Sequence, residues 1–450
     1  MAFGGLKCFF EPESVAVIGA SREPGKLGHE ILKNIIDAGF RGKIYPVNPK
    51  ADEILGLKCY PSINDVPEKV DLAVIIVPAR FVPSVVTDCG KKGVRGVVVI
   101  SGGFREVGDA GAQLEAQLVE AAKNAGVRVV GPNCQGINSA GVGLCASWPL
   151  VKTKGSISVI SQSGTVLAAI GCWAEAEGIG VSKMVALGNK CDVDEIELID
   201  YLGEDEETKV IALYIEGTRD GRKFLEIARR VSGRKPIVVL KGGKTEKGAE
   251  AARSHTRSLA GLDRVFDAAF RKAGVLRVEG VEELYDACKA FVTLPLPKGP
   301  NVAIVTSSGG CGILATDACE ELGLNVVSLE EALAEKLKKS LPPECIIKNP
   351  LDLTGSATSQ SYDAALSELL AWDYIHSAIV IVGDPMPGIS EVLAKHSKGG
   401  KPIIPVMLGG GRAEEEERRK LAEMKLPSYP SPLRGAKVLS FLWKRAVSKA

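Results

Sequence analysis

Short runs of consecutive apolar residues recur along the chain. Each is closed by a polar or glycine-bearing loop and followed by a stretch with helical spacing. In the first third the runs are residues 14–18, 43–47, 72–77, 94–100 and 127–130. Strands that are apolar throughout are expected where helices cover both faces of a parallel sheet. A second set, residues 157–160, 181–186, 210–215 and 236–240, predicts another such sheet, closed by helices through Arg271 and from Glu282 to Val292. Leu294-Pro295-Leu296-Pro297-Lys298-Gly299-Pro300 has the composition of a linker. A third set follows at 302–306, 378–382 and 403–407. The pattern predicts three α/β domains, at residues 1–150, 151–297 and 298–450.

Composition narrows the class. Lys plus Arg is 56 and Asp plus Glu is 55, so no nucleic-acid footprint or membrane-binding surface is expected. The 11 cysteines are scattered without a Cys-x-x-Cys pair, which argues for reduced thiols in a cytoplasm and against a zinc site or disulfide framework. No stretch is long and apolar enough to span a bilayer, and the first residues lack the pattern of a signal peptide. With four histidines no dense metal cluster is expected, and no metal-ligand set is assigned.

Candidate chemistry sits where the strands end. Residues 19–28, between the first strand and its helix, form a glycine loop of the kind that cradles phosphate with backbone N–H groups. The spacing is neither G-x-G-x-x-G nor a Walker A loop. Alone it is compatible with a phosphate-bearing ligand or with an ordinary βα turn. Asn48-Pro49-Lys50, Val77-Pro78-Ala79, Ser101-Gly102-Gly103-Phe104 and Gly131-Pro132-Asn133-Cys134 close the next four strands on the same edge. In the second domain Ser161-Gln162-Ser163-Gly164 opens a helix, which suits an anion site or simple N-capping. Glu216 ends the third strand of that domain. The fourth strand feeds residues 241–261, KGGKTEKGAEAARSHTRSLAG, read as a flexible loop with His255 at its centre. A neutral imidazole among small residues and cations is able to take a phosphoryl group. The alternative is a surface histidine, just as Glu216 is either a surface carboxylate or a group that orients the histidine.

Taken in order, VAVIGASREPGKLG, YPVNPK, ISGGF, GPNCQGIN, SQSGT, ALGNKCDVD, ALYIEGT, VVLKGGKTEKG and SHTRSLAG resemble the ADP-forming acyl-CoA synthetases, relatives of succinyl-CoA synthetase. The resemblance covers nearly the whole chain. SQSG, GNKCDVD and SHT-x-SLAG carry its specificity. It implies a Rossmann-like CoA-binding domain followed by two flavodoxin-like ligase domains. It implies that His255 carries phosphate, that Glu216 holds this histidine, and that Ser161, Gln162, Ser163 and Gly164 receive inorganic phosphate. Gly19, Ser21, Lys26, Asn48, Pro49, Val77, Pro78, Ser101, Gly102, Asn133 and Cys134 fall in the implied CoA loops. The family has glycine where this chain has Arg257, and small residues near Arg253. These arginines either stiffen the loop or help hold the phosphate.

No ATP-grasp domain is recognisable, so the resemblance implies half of an enzyme. The implied reaction is acyl-CoA + phosphate + ADP ⇌ acid + CoA + ATP, with acetyl-CoA as the model substrate. ADP and Mg2+ would be held mainly by an ATP-grasp β subunit in an α2β2 heterotetramer. His29, His376 and His396 lie in no comparable motif and are poor candidates for a second phosphate relay. The rival readings are a CoA-responsive regulatory protein of the same fold and an NAD-dependent dehydrogenase. The latter is disfavoured by the missing fingerprint. Nothing in the sequence identifies an acyl pocket or a role for the third domain.

Overall fold

The computed structural model describes residues 5–256, 263–384 and 386–449, with the side chains of residues 252–256 and 449 outside that description. It divides into two compact units, Met1–Leu284 and Tyr285–Ala450.

The first sheet of the first unit has five parallel strands, in the order Lys43–Val47, Ser14–Ile18, Leu72–Ile75, Gly96–Val99 and Arg128–Val130. The chain runs from Ser14–Ile18 outward to Lys43–Val47, then crosses back to Leu72–Ile75. That reversal opens a crevice at the carboxyl ends of the strands, the place where open α/β sheets bind ligands. Every residue of Ser14–Ile18, Leu72–Ile75 and Gly96–Val99 is buried, as their unbroken apolar sequence requires.

The second sheet has seven strands, in the order Leu276–Val278, Ile237–Lys241, Val210–Ile215, Lys154–Ser161, Val181–Ala186, Gly136–Ser139 and Leu144–Ser147. The first five are parallel. The last two form an antiparallel hairpin that adds to Val181–Ala186. In strand pairing, therefore, the second sheet begins at Gly136, ahead of residue 150. The hairpin is rich in Gly, Ser and Ala and gives no apolar run, so the periodicity did not mark it. Gly136 is required there. Its φ is +109°, and a Cβ would stand 2.1 Å from the Ala146 carbonyl oxygen on the facing strand.

A second difference concerns the segment after Ile237–Lys241. Its composition predicts a loop, yet Glu246–Thr256 is an α-helix. The run GAEAAR is favourable for helix, and glycine does not prevent it near a terminus. The Thr245 hydroxyl accepts the Gly248 N–H at 3.0 Å, capping the first turn.

In the second unit Asn325–Val326, Asn301–Thr306, Ser377–Val382 and Ile403–Met407 form a parallel sheet, with Leu351–Asp352 pairing beside Thr306. The three strands expected here are present, and the two-residue strands are too short to leave a periodic signal. The core includes Tyr362, whose hydroxyl donates to the Ile381 carbonyl at 2.6 Å. Among the described residues no helix is long and apolar enough to cross a membrane.

Burial raises the thiols of Cys8, Cys89 and Cys134 from 9.0 to about 11, 12 and 12. The fold therefore favours their protonated form. Their contribution to stability is whole below pH 9 and is lost as pH rises through 11 to 12. Urea unfolding under reducing conditions should show this alkaline decline, and it should be smaller in Cys89→Ala than in the parent. An equal decline in both would exclude the thiol as its source.

Candidate functional site

The loops that end the first sheet converge on the crevice. Gly19 has φ +94°, and a Cβ on it would lie 2.4 Å from the Ile76 carbonyl oxygen, so only glycine permits the turn. The helix Leu27–Asp37 then presents its N-terminus, with Lys26 exposed at the N-cap and paired to Glu23. Ser21 accepts the Glu23 N–H. Asn48 is committed to shape: its amide donates to the Ala20 carbonyl at 2.7 Å and its carbonyl accepts the Lys50 N–H at 2.9 Å. Pro49 and Pro78 are exposed, and Val77 is half-buried. Arg22, which the sequence reading passed over, donates to the Lys50 carbonyl and leaves a cation at the mouth.

Further along this edge the Ser101 hydroxyl donates to the Val77 carbonyl at 2.5 Å. Gly102 is exposed, and a Cβ there would meet Asn133 Oδ1 at 3.2 Å and Glu106 Oε1 at 3.3 Å. Asn133 is exposed and held at φ 55°. Its neighbour Cys134 is buried, its Sγ lying 3.3 Å from the Val99 carbonyl. Burial pushes that thiol up to about 12, so it is no nucleophile near neutral pH.

On the second sheet the carboxyl end of Lys154–Ser161 leads into the helix Gly164–Ala176. The Ser161 hydroxyl is turned inward, donating to the Ser163 carbonyl at 2.6 Å and accepting the Ser163 N–H. Ser163 is the N-cap and accepts the Val166 N–H at 3.4 Å. With both serine side chains so used, the groups this turn has to offer an anion are backbone N–H groups at the start of a helix. Gln162 is buried, and its Oε1 accepts the Glu216 N–H at 2.6 Å and the Gly217 N–H at 3.3 Å.

Glu216 follows Val210–Ile215, is 5% exposed, and has the Tyr214 hydroxyl 3.5 Å from its Oε1. Ile215 pairs with Lys241, so the Glu216 turn adjoins the start of the segment carrying His255. Lys241 is also buried, lying over the Phe266 ring with its ammonium donating to the Gly242 carbonyl. Burial lowers its pKa, with Asp263 and Glu216 acting against that shift. The helix Glu246–Thr256 runs beside the Arg105–Val107 turn, which follows the loop after Gly96–Val99. The side chains of Arg253 and His255, and Arg257 altogether, fall outside the described residues.

The other histidines serve the fold. His29 is buried, with Nδ1 3.0 Å from the Ser21 carbonyl. His376 accepts the Asn301 N–H at 3.1 Å, and His396 meets Asp363 at 2.7 Å. Among the described residues no group of three or more His, Cys, Asp or Glu side chains is placed to hold a metal ion. Sequence reasoning missed Glu106, whose Oε1 accepts the Gly103 and Phe104 N–H groups and whose Oε2 accepts the Asn189 amide at 2.7 Å. A glutamate two residues beyond GGF carries no motif, so only the fold exposes it. GNKCDVD did mark Asn189 and Lys190, without a role.

Comparison with known proteins gives the class. Residues 13–140 match a CoA binding domain model, 154–291 a succinyl-CoA ligase like flavodoxin domain, and 302–442 a ligase-CoA domain. These describe a CoA ligase architecture of a Rossmann-like domain and flavodoxin-like ligase domains. The chain is 44% identical to the acetate–CoA ligase [ADP-forming] I subunit alpha of Pyrococcus furiosus, covering 99% of this chain and 98% of that one. It belongs to the family of ADP-forming acetate–CoA ligase alpha subunits. The acetate–CoA ligase [ADP-forming] of Methanocaldococcus jannaschii is 43% identical over 99% of this chain, which spans 64% of that longer protein. Among solved structures, the dinucleotide forming acetyl-coenzyme A synthetase 1 of Ca. Korarchaeum cryptofilum, in complex with phosphate and ADP, superposes with a TM-score of 0.91. It is 39% identical, covering 99% of this chain and 97% of its own.

Because Cys134 is buried and protonated, iodoacetamide at pH 7.5 should label the exposed Cys172 and spare Cys134. Cys134→Ser is expected to keep activity within about threefold. Native-state labelling of Cys134, read by peptide mass spectrometry, would contradict the geometry.

Proposed function

We propose that this chain is the acyl-CoA- and phosphate-handling subunit of an ADP-forming acetate–CoA ligase, catalysing acyl-CoA + phosphate + ADP ⇌ acid + CoA + ATP. The observation that carries this reading is the convergence, within one compact unit, of the CoA-type loops, the helix N-terminus at Gly164, buried Glu216 and the helix that bears His255. The CoA loops are those of Gly19, Ser21, Lys26, Asn48, Pro49, Val77, Pro78, Ser101, Gly102, Asn133 and Cys134. Most of these residues act by shaping the loops.

A phosphate oxygen attacks the thioester carbonyl, the C–S bond breaks, and CoA leaves as a thiolate that takes up a proton. Phosphate is held for this by the N–H groups after Ser161, Gln162, Ser163 and Gly164, oriented by the helix dipole. A His255 nitrogen then attacks phosphorus and the carboxylate leaves. Glu216 serves as the carboxylate that stabilises the charged form of this imidazole. Arg253 and Arg257 add charge-assisted contacts to the phosphoryl oxygens. The phosphoryl group finally passes to the terminal phosphate oxygen of ADP.

ADP and its Mg2+ belong to an ATP-grasp β subunit, in an α2β2 assembly in the cytoplasm. The support is that the P. furiosus relative bears the name subunit alpha, while the longer M. jannaschii protein extends beyond the matched region. The working division runs through residues 1–150 for CoA, 151–297 for phosphate and histidine, and 298–450 for a second ligase domain, with the Gly136–Ser147 hairpin as the first seam. A silent regulatory protein is not favoured, since the likeness to named ligases spans the whole chain.

Two outcomes test this. The chain incubated with acetyl-CoA, labelled phosphate and Mg2+ should acquire acid-labile label on His255, which passes to ADP only when the β subunit is added. ATP formed without it would overturn the two-subunit reading. Glu216→Gln should slow His255 labelling about a hundredfold. An unchanged rate would remove Glu216 from the site.

A further inference from the structure

Residues 187–193 form a strap across the first unit. Their backbone is tied to the end of the first sheet, with Asn189 N–H donating to Pro132, Cys191 N–H to Gly131 and Val193 N–H to Val129, at 2.9, 2.9 and 3.1 Å. At its start Leu187 N–H donates to the Ser161 carbonyl at 2.8 Å. Asp192 locks the other end by accepting from Arg128 and from the Val129 N–H. Two adjacent side chains then reach in different directions.

Asn189 is 1% exposed. Its amide nitrogen donates to Glu106 Oε2 at 2.7 Å and Glu115 Oε2 at 2.8 Å, and its oxygen lies 3.4 Å from the Asn133 amide. Glu106 in turn holds the Gly103 and Phe104 N–H groups with its other oxygen. Burial opposes the charge on Glu106, but the bonds from Asn189, Gly103 and Phe104 outweigh it and hold the carboxyl below its ordinary range. Lys190, at φ 46° and 3% exposed, points the other way. Its ammonium pairs with fully buried Glu195 at 2.8 Å and donates to the Gly217 carbonyl at 2.7 Å. Arg219, just beyond that turn, donates back to the Lys190 and Cys191 carbonyls.

The turn Glu216–Gly217 is therefore held at its two N–H groups by Gln162 and at the Gly217 carbonyl by Lys190. The loop 101–104 is held by Glu106, and Glu106 in turn by Asn189. Neither Asn189 nor Lys190 merely fills space: Lys190 bonds the Gly217 carbonyl directly, and Asn189 reaches the 101–104 turn through Glu106. We propose that Asn189 and Lys190 are a pair of positioning residues for the two halves of the reaction, Asn189 setting the acyl-CoA loop through Glu106 and Lys190 setting Glu216 through Gly217. This rests on the function proposed above, and the test separates the two.

Calorimetric affinity for acetyl-CoA and the His255 labelling rate at saturating acetyl-CoA are measured on the full chain. Asn189→Ala and the milder Glu106→Gln should weaken acetyl-CoA binding about tenfold and change the saturated labelling rate less than threefold. Removing a single partner of a buried ion pair is strongly destabilising, so Lys190→Met is combined with Glu195→Leu. That double variant should keep acetyl-CoA affinity within about twofold while labelling slows at least tenfold. Variants that move both quantities by the same factor, or neither, would overturn the proposal. Labelling of the wild-type chain is the control. Its failure would count against the reaction, whereas a missing split in a chain that labels counts against the strap alone.

Discussion

The site depends on the hydrogen bonds that fix the Glu216–Gly217 turn. A carboxylate placed at a strand end is useful only if its backbone does not drift, because a buried charge that moves loses its partners in a medium of low dielectric. Gln162 Oε1 takes both N–H groups of this turn from one side, and Lys190 reaches its carbonyl from the other. The side chain that looks made for phosphate is thereby used as scaffolding. In the proposed reaction phosphate is left to backbone amides, which cannot rotate away and cost no side-chain entropy to order.

The same economy recurs among the CoA loops. Asn48, Ser101 and Ser21 use their polar atoms on neighbouring backbone, and Glu106 does so for the loop after the fourth strand. On the proposed reading, affinity rests on turns held in one shape, where glycine lets ligand and chain approach. Exposed cations at the rim, Arg22 and Lys26, supply attraction over distance.

The sequence showed the strands because both faces of each are covered, and unbroken valine and isoleucine runs leave little doubt about burial. It showed the loops for the same reason, since polar residues between such runs have to lie at strand ends. His255, Glu216 and SQSG were legible as motifs. Three things were not. The Gly136–Ser147 hairpin has small residues and no apolar run. The helix Glu246–Thr256 hides among glycines and lysines that read as loop, although its alanines favour helix. The roles of Glu106 and Lys190 rest on bonds to residues 83 and 27 positions away, as in Glu106–Asn189 and Lys190–Gly217. Periodicity reports neighbours along the chain, and such pairs are neighbours only in space.

The hairpin has a consequence for dissection. Gly136–Ser139 continues directly from the CoA-side loop of Asn133 but hydrogen-bonds to Val181–Ala186. A fragment ending at residue 150 would carry two strands with no sheet to join. The remainder would present Val181–Ala186 as a long, apolar, uncovered edge. Both pieces would offer unpaired backbone to any passing strand, the condition for aggregation. Expression of the first domain alone calls for a cut before Gly136, at the cost of the strap, residues 187–193, that pairs with Val129, Gly131 and Pro132.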